Sequence, residues 1–171
     1  MSNAFVYRMP VGIPGALSRG VDGCKIEVGV LSASYPPTVF GIPMKLSSGV
    51  YRPIAATDTI STAVVGFLVR PYPTQYTASE ALGTSTPNVN LPCNILKSGY
   101  IMVLVNAGIG GAVPAKGGAV YCRKTDHGAS EYLIGGIESD ADSAKCETIT
   151  GCYFTGVMDT TSLLCEVAYN I

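Results

Sequence analysis

The chain has 171 residues and a mass of 17.7 kDa, with 47% apolar residues, 13% charged residues, a net charge of −1 and a mean hydropathy of +0.33. That length sets one domain, or one domain with an arm, and is enough to bury a core. The apolar share excludes a disordered chain, the balanced charge excludes a global basic field for nucleic acid, and so sparse a charge leaves a surface that tends to be covered by copies of itself or by a partner.

In chain order, residues 1–23 come first. They hold Pro10, Gly12, Pro14, Gly15, Gly20 and Gly23 among few aliphatics. Such a segment cannot be a helix, so it reads as an extended N-terminal arm, with the β domain spanning 24–171. MSNAFVYRMP lacks the apolar run of a signal peptide, so nothing directs the chain to an oxidising compartment. Phe5, Tyr7, Arg8 and Met9 are good contact residues that gain nothing from exposure on a free tail.

Short runs rich in β-branched and aromatic residues follow, with turn signals between them. Candidate strands are Lys25–Leu31, Thr38–Leu46 (interrupted by Pro43, hence an edge or bulge), Val50–Ile54 and a central Thr62–Arg70. Residues 72–92 are long and polar and read as a loop, with room for one helical turn at Ser79–Leu82. Asn94–Val105, Gly118–Arg123, Glu131–Ile137, Thr150–Val157 and Ser162–Ile171 complete the set. The charge-free stretch from Ser98 to Ala115 approaches the length of a membrane span, but Asn106, Gly108, Gly110, Gly111 and Pro114 break it, so a buried strand followed by a loop is expected. Eight or nine short strands predict an all-β sandwich or barrel of the jelly-roll or Greek-key kind.

The few charges are sorted. Up to Thr125 there are ten Lys and Arg against four Asp and Glu, a charge of +6; from Asp126 onward there is one against eight, −7. Either the acidic C-terminal part pairs with basic strands of the same fold, or opposite poles of neighbouring molecules meet in an oligomer or lattice.

No catalytic set assembles. A nucleophile needs a base and an orienting group, and the single histidine, His127, lies in the turn-like KTDHGAS. Glu138, Asp140 and Asp142 in IESDAD alternate like cation ligands but lack the glycine and glutamate of a calcium loop, so they read as a solvated acidic loop. In GIGGAVPAKGG the lysine is followed by glycine rather than Ser or Thr, which makes it a flexible turn instead of a phosphate loop. Ten tyrosines form no block with interleaved basic residues, against nucleic-acid binding. Cys24, Cys93, Cys122, Cys146, Cys152 and Cys165 are irregularly spaced, without C-x-x-C; Cys122, Cys152 and Cys165 sit among strand formers and read as reduced structural thiols, with a disulfide as the alternative. No metal or cofactor is expected.

Several segments recur in a distinctive order: RMPVGIPGALSR (8–19), SYPPTVFGIPMKL (34–46), LVRPYPTQ (68–75), EALGTSTPN (80–88), SGYIMVLVNAG (98–108), AKGGAVYCR (115–123), GGIE (135–138), GCYFTG (151–156) and EVAYNI (166–171). In these, nearly end to end, the chain resembles the structural cement proteins of tailed bacteriophages. The resemblance implies a non-enzymatic decoration protein in the virion, on the outer capsid surface, made in the host cytoplasm. Its partner would be the major capsid protein, whose neighbouring capsomers it would clamp, and it would be a homodimer or, alternatively, a trimer. No membrane or nucleic acid is implied. Capsid contacts are expected from Phe5, Tyr7, Arg8 and Met9 on the arm and from Arg70, Tyr72 and Tyr76 at the strand-to-loop corner. The chain departs from that family most in its cysteines, which leaves a redox or disulfide role open for them. A receptor- or glycan-binding β module is the second reading, with Tyr72, Tyr76 and Tyr132 as loop aromatics.

Overall fold

The computed structural model describes residues 12–20, 23–71, 86–106, 113–126 and 133–171. Phe5, Tyr7, Arg8, Met9, Tyr72, Tyr76, His127, Tyr132 and the helical turn expected at Ser79–Leu82 lie outside them.

The all-β expectation holds. The strands are β1 (Lys25–Val30), β2 (Pro43–Ser47), β3 (Val50–Pro53), β4 (Gly66–Val69), β5 (Pro92–Leu104), β6 (Ala119–Arg123), β7 (Ile137–Glu138), β8 (Cys146–Phe154) and β9 (Leu164–Tyr169). One antiparallel sheet runs β3-β2-β4-β5-β9-β8-β6-β7, with β1 also on β5. The long strand β5 is shared by two halves. Its first part pairs with β1 and β4, and its second part pairs with β9.

The change of partner falls at Gly99. Its φ of 140° is a conformation L side chains rarely adopt, and a Cβ there would sit 2.6 Å from Cys24 Sγ, so only glycine fits the corner. Each half then curls until its ends touch through one parallel bridge. Leu31, just after β1, meets Tyr51 of β3; Val105, just after β5, meets Ile137 of β7.

Two cores follow from this curl. The smaller lies inside the first half and is built from Leu31, Phe40, Met44, Tyr51, Leu68, Cys93 and Ile95. The larger fills the second half around Ile101, Val103, Val120, Ile149, Phe154 and Val167, and it also takes Phe67, Val69 and Leu96 from the outer face of the first half. Strand β4 is therefore buried on both faces, which is why GFLV is a continuous apolar run rather than an alternating one. Phe67 meets Tyr169 edge to face, with ring centroids 5.2 Å apart.

The sequence differs from the structure at several element edges; among the described residues of the expected strand Glu131–Ile137 only Ile137 lies in a strand, β7, because residues 134–135 form a turn. Pro43 opens β2 instead of interrupting a longer strand, because a first residue need not donate to the ladder. Residues 60–63 form the short helix α1 (Ile60–Ala63), which plugs Ile60 into the larger core, so β4 starts only at Gly66. Strand β8 starts at Cys146, ahead of the expected Thr150.

The acidic segment also departs from expectation. Glu138 is only 1% exposed and binds Arg123, itself fully buried, at 2.7 Å; Arg123 also reaches Asp142 at 2.8 Å. The reason is register: Tyr121 faces Glu138 and Cys122 faces Ile137, which brings Glu138 inward onto β6 beside Arg123, while Asp140 instead accepts a hydrogen bond from the Asp142 amide. Asn106 donates a further hydrogen bond to Glu138 at 3.0 Å.

Candidate functional site

The described part of the N-terminal segment is stitched to the sheet. Leu17 bridges Ile101 on the edge of β5 opposite β9. The Gly15 amide donates to Met102 O at 2.8 Å, Met102 donates to Ala16 O at 2.9 Å, and Arg70 donates its amide to Gly15 O at 2.8 Å. Gly15 adopts φ +82°, and a Cβ on it would stand 2.5 Å from Phe40 Cβ. Arg19 then lies 3.8 Å over the Tyr100 ring and binds Glu166 at 2.7 Å.

Arg70 is the one residue of the expected contact set among the described residues. It is 7% exposed, with its guanidinium 5.3 Å from the Phe40 ring, and burial pushes its pKa down. Its side chain thus supports the corner from inside the fold, while the next residue, Pro71, is exposed.

Beside that corner lies a surface that sequence reasoning did not single out. Across β1, β5 and β4 the register sets Ile26 beside Leu96 and Phe67, and Val28 beside Asn94 and Val69, so these side chains share one face. Phe67, Val69 and Leu96 are covered by the larger core, but the β1 members of the face are not: Ile26 is 37% exposed, Val28 67% and Val30 54%. Glu27 and Gly29 point the other way, where Tyr51 donates its hydroxyl to Glu27 at 2.6 Å. A groove lined by Ile13, Leu17, Ile26, Val69, Arg70 and Pro71 joins this apolar shelf to the corner. The partial alternation of KIEVGV was visible in the sequence; that its apolar side faces outward was not.

A second cleft, of about 450 Å³, opens beyond the end of β5. Phe40, Gly41, Leu104, Asn106 and Ile134 line it, and Asp126 stands at its rim. Val39, Leu104 and Leu133 expose apolar side chains along it.

The sorted charges pair within the fold. Arg19 with Glu166, Arg123 with Glu138 and Asp142, and Lys124 with Glu147 all join the basic part of the chain to the acidic part. All six cysteines are free thiols and five are buried. Burial pushes the Cys146 and Cys165 thiols up to about 11 and raises the other buried thiols as well, which keeps them protonated and unreactive at neutral pH. Among the described residues, no group of three His, Cys, Asp or Glu is placed to hold a metal ion, and no helix is long and apolar enough to cross a membrane.

Curled sheet, stitched N-terminal segment and apolar shelf together define a small all-β protein that presents an apolar surface beside its N-terminal segment. Comparison with known proteins gives that class its context. The family described as XM1 gp53 minor capsid protein matches residues 1–166, and the chain belongs to that family. A chain in the solved capsid of Myoviridae phage XM1 has a similar fold, with 15% sequence identity and a TM-score of 0.69; the match covers 99% of this chain and 97% of that one. No curated protein matches. The protein is thus a structural component of a tailed-phage capsid, associated with the shell and carried in the virion.

Proposed function

We propose that the protein is a cement protein: it binds the outer surface of the shell built by the major capsid protein and clamps neighbouring capsomers. The observation that carries this reading is the family match over nearly the whole chain, residues 1–166. The shelf of Ile26, Val28 and Val30, joined by a groove to the corner at Arg70 and Pro71, supplies an apolar face of the kind that interfaces cover, and Tyr72 and Tyr76 follow that corner in the sequence. Phe5, Tyr7, Arg8 and Met9 extend the contact along the shell. The reading assigns no catalytic step to any residue. A dimer fits a protein placed across a boundary between capsomers, since each copy then holds one side.

The mechanism is one of linkage. A shell under internal pressure is pulled apart at subunit boundaries. A protein that binds only the expanded arrangement of those boundaries adds its binding free energy to that state. Many copies on one lattice act together, so each contact can be modest.

The test is a comparison of heads assembled with and without the protein. Expanded heads should bind it at fixed stoichiometry and rupture at a higher temperature when decorated. Equal rupture temperatures, or equal binding to unexpanded heads, count against cementing.

A further inference from the structure

One edge of β1 pairs with β5. Along its other edge, no backbone hydrogen bond reaches Lys25–Val30 from any described residue, and the bridge of Leu31 to Tyr51 comes only after the strand ends. Every residue of β1 except Gly29 is exposed. Such an edge offers unpaired amides and carbonyls as a template for one more strand.

We propose that β1 pairs antiparallel with β1 of a second copy, with Ile26 on the two-fold axis. Two copies of one edge meet about an axis normal to the sheet, which keeps like faces together and sets a single residue on the axis. The charges choose that residue. Lys25 and Glu27 lie two apart in the strand and so share a face. With Ile26 on the axis, Lys25 stands opposite the partner's Glu27 and Glu27 opposite the partner's Lys25. An axis through Glu27 would oppose two carboxylates, and one through Val28 would set the charges opposite Gly29 and Leu31. Both side chains are open to such pairing. Lys25 is exposed and makes no ion pair among the described residues, and Glu27, which Lys97 reaches at 3.3 Å, keeps half of its side chain exposed. Directly opposed charges of opposite sign favour this register.

On the other face, Ile26 meets the partner's Ile26 and Val28 meets the partner's Cys24. The pairing uses the backbone edge and leaves the face itself uncovered. The shelves of Ile26, Val28 and Val30 from two copies thus become one continuous apolar face. Use of that face as a symmetric clamp rests on the cementing reading. The pairing is a property of the free protein, so its failure and the failure of that reading are told apart by working without heads.

The test is sedimentation of the full-length protein and of two variants at exposed positions, Lys25→Glu and Glu27→Lys. The parent should form dimers. Each variant alone sets like charges opposite each other twice and should weaken dimerisation roughly tenfold or more. Mixed in equal amounts, the two should recover it as heterodimers, because one copy then carries both acidic side chains and the other both basic ones. Glu27→Lys also gives up the hydrogen bond from Tyr51, so a cysteine supplies a second readout that leaves this bond in place. Opposed residues have Cα atoms about 4.5–5.5 Å apart, within disulfide reach, so mild oxidation of Ile26→Cys should link two copies through position 26. Val30→Cys, equally exposed but off the axis, should not link. A chain that stays monomeric at millimolar concentration overturns the proposal and leaves the edge to a strand of another protein. Dimers indifferent to the charge variants, a mixture that does not recover, or equal linkage at positions 26 and 30 overturn it as well.

Discussion

The two halves that share β5 use the same curl for opposite ends. The second half keeps its polar chemistry inside: Arg123 is buried with Glu138 and Asp142, and Lys124 with Glu147 ties β6 to β8. The first half places an apolar core inside and then shows a second apolar face to solvent along β1. The difference teaches where this protein spends its small stock of charge. Ion pairs occur in both halves, Lys45 with Asp58 and Lys97 with Glu27 in the first, but among the described residues only the second half encloses a pair completely, Arg123 with Glu138, while the first half presents the apolar surface that other protein can cover.

The sharpest way to break that contrast is to remove the buried cation. Arg123→Met leaves Glu138 buried beside Ile137 without its counter-charge, and an uncompensated buried charge destabilises by about 3–5 kcal/mol. Denaturant unfolding should show the loss, and the double variant Arg123→Met, Glu138→Leu should recover most of it, because a well-packed apolar pair removes both desolvation penalties. A loss no smaller in the double variant would mean that the ion pair itself, rather than its mutual neutralisation, stabilises the half.

Glu147 tests the same half with a smaller effect. Burial raises its pKa, but hydrogen bonds from the Ser61 amide and from Lys124 outweigh this and hold it at about 2, against an ordinary value of 4.5. A carboxylate whose folded pKa is depressed contributes stability that is fully present above 4.5 and is lost as pH falls toward 2. Screening at this partly exposed site reduces the contribution to roughly 1 kcal/mol. Glu147→Gln should therefore be less stable than the parent at pH 7 and equal to it near pH 2, as read by thermal unfolding across that range. A gap that stays constant with pH would assign the loss to packing instead.

Much of this architecture was legible in the sequence. Strands β1, β3, β5, β6 and β9 lie close to their runs of β-branched and aromatic residues, because in each the local propensity and the tertiary environment agree. β4 could be read as central because both of its faces are apolar. Two things were not legible. IESDAD reads as a solvated loop because periodicity cannot show that β7 sits opposite β6, which is what brings Glu138 to Arg123. The β1 shelf was hidden for the converse reason: alternation at Ile26, Val28 and Val30 marks an apolar face, and sequence alone assumes that such a face is buried.

That shelf gives the smallest expected effect on stability and the most direct test of the contrast. Val28 is 67% exposed, so Val28→Lys removes little burial and should shift unfolding by no more than about 0.5 kcal/mol. Its neighbour Val30, at 54%, allows a second charge on the same face with the same small change. If the first half is the covered one, placing two lysines on its apolar face should lower occupancy on expanded heads strongly while the free protein unfolds as before, since desolvating an ammonium at an apolar interface opposes binding. Matched lysine substitutions at exposed positions of the second half, Tyr153 and Val157, supply the control. Should those reduce occupancy instead, with the β1 pair neutral, the shell-facing surface belongs to the second half and the division of labour between the halves is reversed.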